Sequence, residues 1–582
     1  METPYDSKYS LSKLNYDEYI FDPKFKIFGI GVQFDTEDPQ FIDAPYVDEF
    51  IHDLDWPDYE VVCQNTYFDG AALAWLYGVK PAYWYDTMSM YRLLYPKRSA
   101  SLDKISRHLW PTDPTMHKGT ELIEAKGHLE AWPEEHKESL IGYCLQDVKL
   151  THAIFMALKD EIPRQEFFMM DDTLRKFFYP TLELDPAVLE EAIAREAQEK
   201  EEILELVGLE RTQLASNEQF ADILRANGVT PPLKISPTTG KNTYAFSKND
   251  LKFQELQLHE DDRIRLLVNA RMRIKSTQVE TRAKTLMFAA RCHNNKCPIP
   301  LKSYAAHTLR YGGMDKRNFQ NFPRDGNLRA AIIPPPGHVM YIVDYAAIEA
   351  RMLAWLAKFW TLVDSFAAGV DIYVAFAAEL FGVRPDEVTK LQRFIGKVAI
   401  LGLGYGMGAD KFRLILAQGA MGPKHDIERH EAFRIVNLYR TLNHPIRVLW
   451  SYFQEEISRM DKGIADETYG PLHIKNDRIY LPNDTYIQYD YDGLSKTFGG
   501  KITENVVQAL SRIVLVDAIE RIYNELGIRC SFHVHDELVF ALPENEAEQL
   551  QTEIENLMII PPSWAEKLPL AVEGQFTPCY TK

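Results

Sequence analysis

Two aspartates far apart in the chain stand where a carboxylate is hard to keep without a partner. Asp344 ends the apolar run Val339-Met340-Tyr341-Ile342-Val343, bounded upstream by Pro334-Pro335-Pro336-Gly337, which has the pattern of a buried strand giving way to a helix. A divalent cation suits a carboxylate in that position, and an Asp capping the following helix is the alternative. Asp536 lies in His535-Asp536-Glu537, where two short apolar strands meet; an ordinary turn Asp is the other reading. Between them Arg393, Lys397, Leu401 and Tyr405 recur every four residues and share one slowly drifting helix face. Two cations and an aromatic ring on one face suit a polyphosphate and a base; a basic surface helix is the alternative. The glycine run at 402–408 follows a helix and no strand, which excludes a dinucleotide fingerprint.

A nucleic-acid partner looks at first incompatible with a formal net charge of −19. The distribution of charge decides otherwise. Residues 263–329 carry 15 Lys and Arg against three acids, Glu280, Asp315 and Asp325. Tyr304, Tyr311, Phe319 and Phe322, with Gln320 and Asn321, add stacking and base-edge groups that a merely solvated basic face does not need. The six cysteines form no paired spacing, so a disulfide framework is not expected, and Cys292-His293 with Cys297 lacks the fourth ligand of a zinc site. No segment reads as a signal peptide or as the run of about 18 apolar residues that spans a membrane.

A length of 582 residues predicts two to four domains. Strands are expected over 24–35 and 60–63, a helix over 71–77, and a further helix ending at Tyr143 to Asp147, an α/β pattern to about residue 165. Residues 185–208 read as an exposed helical arm opened by Pro186, and 231–244 as a loop. Arg271, Arg273 and Lys275 lie two apart, so on a helix they do not share a face. A helix is expected over 391–405, loops and short strands over 466–500, a long helix over 501–524 and a hairpin over 530–540.

Asn65-x-x-Phe68-Asp69 and Tyr143-x-x-x-Asp147 resemble the second and third motifs of DnaQ-like 3′–5′ exonuclease domains. That resemblance implies a two-metal site held by Glu2, Asp69 and Asp147, with Tyr143 orienting the attacking water. The first motif there is Asp-x-Glu. Glu2 fits its second acid, and the Asp falls just before the numbered sequence, so weak exonuclease activity is expected.

The order of basic stretch, Asp344, Arg/Lys/Tyr helix and His-Asp-Glu hairpin resembles family A DNA polymerases, the polymerase I family, over nearly the whole chain. Asp344 to Arg351, Arg393 to Gly406 and His535-Asp536-Glu537 resemble motifs A, B and C. The resemblance implies an α/β plus α+β multidomain chain: an RNase H-like exonuclease domain at 1–165, then a right-hand polymerase with thumb at 166–300, palm at 301–358 and 500–582, and fingers at 359–499. It implies that Asp344, the Tyr345 carbonyl and Asp536 hold two Mg2+, with two more possible at the exonuclease site and Mn2+ able to substitute. Arg393 and Lys397 would neutralise the triphosphate, Leu401 and Tyr405 would pack near the nascent pair, and Glu349 would crowd the ribose 2′ position. Arg310, Gln320, Asn321, Arg329, Gln508 and His535 would contact primer and template, and Arg273 and Lys275 would grip phosphate in the thumb. The partners implied are primer–template DNA and dNTPs; a cytoplasmic monomer is expected, in a bacterial host if phage-encoded, with no N-terminal 5′-nuclease and no identified replisome partner. Leu401 stands where Phe or Tyr is usual, and Ala346-Ala347 where Ser-Gln is common. A single-subunit RNA polymerase, disfavoured by Glu349 and the exonuclease-like segment, and a non-catalytic DNA-binding protein are the alternatives.

Overall fold

The computed structural model describes residues 1–582 apart from 237, 249, 323–326, 420–421, 496 and 582. Arg324 and Asp325 of the basic stretch therefore lie outside the described residues. In the N-terminal segment, strands Glu60–Cys63 and Tyr83–Asp86 pair in parallel and are joined by helix Thr66–Tyr77. That is the crossover a parallel pair requires. Gly29–Val32 pairs antiparallel with Gln40–Asp43, and helix Lys137–Leu158 packs across these strands. The strand expected over 24–35 is shorter because Phe25, Ile27 and Phe28 line a surface groove of about 840 Å³ instead of joining a ladder. Tyr143 and Asp147 sit inside their helix and not at its end, since Leu150, Ile154 and Leu158 continue the buried stripe beyond them.

Helix Arg164–Phe178 leaves this segment with Glu166, Asp171 and Asp172 all buried. Helix Pro186–Val207 begins with the Asp185 carboxylate accepting from the amides of Ala187 (2.9 Å) and Val188 (3.3 Å), and ends at left-handed Gly208. It is not simply an exposed arm: Leu189 and Ala192 are buried, and it packs along helix Gln278–Cys292. The expected loop at 231–244 contains a small hairpin, Leu233–Ile235 against Asn242–Tyr244.

The element order then builds one antiparallel four-stranded sheet from distant segments, in the order Phe532–Val534, Glu537–Pro543, His338–Tyr345, Val572–Thr577. The 28-residue helix Gly499–Leu526 and helix Ile348–Leu356 pack together beside it, in the same apolar cluster as Met340, Tyr341, Val343, Leu538 and Phe540. Helices Ile372–Phe381 and Lys390–Leu403 form a separate layer with its own core of Phe376, Val398, Phe412 and Tyr439. The turn-rich stretch expected over 466–500 holds a four-stranded antiparallel meander from Asp466 to Gln488. Among the described residues no helix is long and apolar enough to cross a membrane.

Candidate active site

The sheet register brings the two aspartates together. On the central strand Asp344 stands opposite Glu537, and the Tyr345 amide donates to the Asp536 carbonyl at 3.1 Å. Asp536 thus sits in the hairpin turn immediately before the neighbouring strand, beside the end of the strand that carries Asp344. A left-handed residue shapes each turn, Ala347 at φ 55° three residues after Asp344 and His535 at φ 55° immediately before Asp536, a conformation that non-glycine residues hold only where their surroundings dictate it. Ala347, not Asp344, occupies the cap position of helix Ile348–Leu356, which removes the helix-cap reading of Asp344. Arg351 staples the strand-to-helix turn by donating to the carbonyls of Ala346 (2.7 Å) and Pro569 (2.9 Å). Gln320 does the same for the hairpin: its amide donates to the His533 carbonyl at 2.6 Å and accepts from the His535 amide at 3.2 Å.

Asp344, Tyr345, Glu349, Arg310, Arg393, Lys397, Leu401, Tyr405, His535 and Asp536 all line one cleft of about 720 Å³. One wall is the helix of the i, i+4 pattern, Lys390–Leu403, begun by a capping box in which Thr389 and Gln392 exchange hydrogen bonds. Its Arg393 pairs with Asp371 at 2.7 Å and lies over the Tyr373 ring. Tyr405 falls just past the helix end, where burial and then Glu349 push its phenol far above the usual range. Glu349 is held from two sides, in an ion pair with Arg310 and by the Tyr405 hydroxyl at 3.5 Å. Sequence reasoning missed Glu573, which stands across the sheet from Asp344 on the other edge and also lines the cleft; a lone acid in an edge strand carries no local signal.

Among the described residues no group of three or more His, Cys, Asp or Glu is arranged to hold a metal ion. The cleft donors still suit magnesium. That ion keeps several waters and takes one or two carboxylates with substrate phosphates, so two adjacent aspartates and a backbone carbonyl beside two cations fit its habits.

The remaining predicted DNA contacts lie outside this cleft. Gln508 donates to Glu504 at 3.2 Å, Arg329 donates to the Phe322 carbonyl at 3.0 Å with its guanidinium over Tyr580, and Asn321 is exposed. Arg273 is engaged by Glu196 and Glu199, and Lys275 reaches the Ala215 carbonyl at 3.3 Å. Arg271 is turned inward between the Phe220 and Phe246 rings, donating to backbone carbonyls of 214 and 216, so its charge serves that small core and not a shared phosphate grip.

In the N-terminal segment Glu2, Asp147 and Tyr143 converge. Burial raises the carboxyls of Glu2 and Asp147 above their usual range. Burial, and then the facing Asp147 and Glu2, raise the Tyr143 phenol. Lys118 pairs with Asp147 and lies over the Tyr143 ring at 4.6 Å, and the Met1 amine pairs with Asp69 at 2.9 Å. Lys118 gave no signal in the sequence because it comes from an irregular segment outside every motif.

With this geometry in view, the family described as DNA polymerase family A matches residues 187–485. A DNA polymerase of Bacillus phage SP02 is 26% identical over 564 residues, covering 84% of this chain and 82% of that protein. DNA polymerase I of Pseudomonas aeruginosa is 31% identical over 268 residues, which cover 44% of this chain and 27% of the relative. The chain thus spans most of the phage protein and under a third of the bacterial one. A solved structure, the POL domain of Pol1 from M. smegmatis in complex with DNA primer-template and dNTP, superposes with a TM-score of 0.66 at 18% identity, over 96% of this chain and 93% of that chain. The α/β multidomain fold is shared with it.

Proposed function

This chain belongs to DNA polymerase family A, and on that premise we propose that it adds deoxynucleotides to a primer 3′-hydroxyl under the direction of a DNA template. The observation that carries this reading is the strand register that sets Asp344 beside Asp536 in a cleft also lined by Arg393 and Lys397. Asp344, Asp536 and the Tyr345 carbonyl are the groups that would hold two magnesium ions. Bound there, the ions supply a lowered pKa for the primer hydroxyl and positive charge for the triphosphate. Lys397 and Arg393 neutralise the phosphates, where charge stabilisation dominates phosphoryl transfer. For Arg393 this means exchanging Asp371 for phosphate. Tyr405 stacks at the nascent pair. Glu349, steadied by Arg310, occupies the space a ribose 2′-hydroxyl would need. Gln320 acts through the hairpin that carries His535 and Asp536, and Arg310, Asn321, Arg329, Gln508, Arg273 and Lys275 line the path of primer and template. In this reading residues 166–300 form the thumb, 301–358 and 500–582 the palm, and 359–499 the fingers.

The N-terminal segment, 1–165, is a 3′–5′ exonuclease-type domain of low activity, with Glu2, Asp69 and Asp147 toward metal and Tyr143 toward water. Lys118 on Asp147 is the observation behind the low activity, because a cation already balances a carboxylate that a metal would need. The test of both activities is one assay. A labelled primer on a DNA template is incubated with magnesium, with each dNTP singly and with none. Addition of only the template-complementary nucleotide supports the polymerase; addition of any nucleotide alike, or of none, removes it. Slow shortening without dNTPs, faster in Lys118→Met, supports the second site, and an unchanged rate in that variant removes the role given to Lys118.

A further inference from the structure

Glu166 lies on helix Arg164–Phe178, far from every motif, and is completely buried. Its carboxylate is fully engaged: it accepts from both terminal nitrogens of Arg512 at 2.7 Å each, from the Tyr304 hydroxyl at 2.9 Å and from Asn483 at 3.0 Å. Arg512, on helix Gly499–Leu526, also donates to the Tyr311 hydroxyl at 3.2 Å and lines the cleft with Ser511 and Asp536. The two tyrosines bracket a tight loop. Within it the amides of Ala305 and Ala306 both donate to the Arg310 carbonyl, at 3.0 and 3.2 Å, and Tyr304 and Leu309 hold left-handed backbone. The loop is thus closed on itself and fastened at each end to the Glu166–Arg512 pair. Its one cleft-lining cation, Arg310, pairs with Glu349.

A buried, bidentate, charge-assisted pair has one geometry, so the phenols it holds have one geometry too. We propose that Glu166 is a positioning residue for nucleotide selection: through Arg512, Tyr304 and Tyr311 it sets the loop that places Arg310 against Glu349. The inference rests on the polymerase reading and adds a residue from outside the polymerase motifs. It also gives helix Arg164–Phe178, which joins the N-terminal segment to the rest of the chain, a route to the sugar-sensing side chain.

Selection is read as the ratio of kcat/KM for a deoxy- and the matching ribonucleoside triphosphate, measured well below the melting temperature of each variant. Glu166→Gln keeps the shape and removes the charge that orients Arg512. It is expected to lower the ratio about tenfold, because small misplacement of a positioning group is costly, while primer–template Kd shifts by clearly less than that, since Arg310 is one of several groups along the DNA path. Tyr311→Phe deletes one hydroxyl, leaves the ion pair and gives a smaller shift in the same direction; it carries the test if Glu166→Gln does not fold. A Glu166→Gln protein with a lower Tm but the parental ratio overturns the proposal, as does a parental ratio in Tyr311→Phe. A parent chain that extends no primer removes the polymerase reading, and the proposal with it, which is distinct from a parent that extends and variants that match it.

Discussion

Around Glu349 three elements meet: the loop that carries Arg310, the strand-to-helix turn after Asp344, and the end of the helix that leads to Tyr405. If its carboxylate fills the 2′ position, Glu349→Ala opens that space and leaves Arg310 without its partner. Ribonucleotide incorporation relative to deoxynucleotide should rise by about 10- to 100-fold, the scale of discrimination that small changes in a pocket give, and competition assays with paired dNTP and rNTP measure it. An unchanged ratio would remove Glu349 from sugar selection. Leu401 predicts a separate trait. Without an aromatic ring at this helix position the chain should use dideoxynucleotides poorly, and equal incorporation of ddNTP and dNTP contradicts that expectation. Leu401 stood out by its four-residue spacing with Arg393, Lys397 and Tyr405, whereas Glu349 was singled out only through the resemblance of Asp344 to Arg351 to a family motif. Asp371 was not: it caps helix Ile372–Phe381 by accepting from the amides of Tyr373 and Val374 at 3.0 Å each, an everyday role that hides its pairing with Arg393. Nor was Glu166, since nothing local separates a buried acid from an exposed one on a helix.

The helix carrying Arg393 and Lys397 is placed by its contact with helix Ile372–Phe381, and the contact is made at Gly396. A Cβ there would collide with the Tyr373 carbonyl oxygen, which is backbone and cannot step aside. Gly396→Ala should therefore push the two helices apart, at a cost of about 1 to 3 kcal/mol as overpacking usually gives. Because Arg393 and Lys397 ride on the displaced helix, KM for dNTP should rise while primer–template affinity holds. Steady-state kinetics beside a binding titration separates the two, and equal loss in both would mean general unfolding. The helix itself, the strand before Asp344, the long helix Gly499–Leu526 and the His535-Asp536 hairpin were readable in the sequence, each from a local pattern. The register that sets Asp344 opposite Glu537 was not, because a strand's periodicity says which face is buried and nothing of its partner. The same limit hid the pairing of the short strands expected over 466–500, whereas the spacing of Leu150, Ile154 and Leu158 is itself a local pattern that carries helix Lys137–Leu158 past Asp147.

At the scale of the whole molecule, helix Arg164–Phe178 ties the N-terminal segment to the site sheet by buried charge. Asp172 pairs with Lys176 on its own helix and with Arg529 at 3.0 Å just before strand Phe532–Val534. Burial alone would raise the Asp172 carboxyl, but Lys176 and Arg529 outweigh it and hold it below its ordinary value. The pair therefore stabilises the folded chain above the unfolded carboxylate value of about 3.9 and loses that contribution as pH falls below it. Asp172→Asn takes the carboxylate from Lys176 and leaves Arg529 to Asp171 at 3.3 Å, and should cost up to about 3 to 5 kcal/mol near neutral pH. Denaturant melts of parent and variant should differ by a constant amount at neutral pH and converge as the solution is acidified through that value; a gap that widens in acid contradicts the pairing. Membership of DNA polymerase family A was legible from motif order, whereas the buried tie between Asp172 and Arg529 was not, since it joins residues hundreds of positions apart. If Asp344 and Asp536 act together as the carboxylates of a polymerase site, neither is dispensable for primer extension. The most direct measurement is single-turnover extension of a primer by parent, Asp344→Asn and Asp536→Asn, each with its primer–template Kd. Both variants should bind DNA as the parent does and extend it about 1,000-fold more slowly or worse, on the scale of losing a key charge-stabilising group. Extension at the parental rate by either variant would rule out a joint role for the two aspartates.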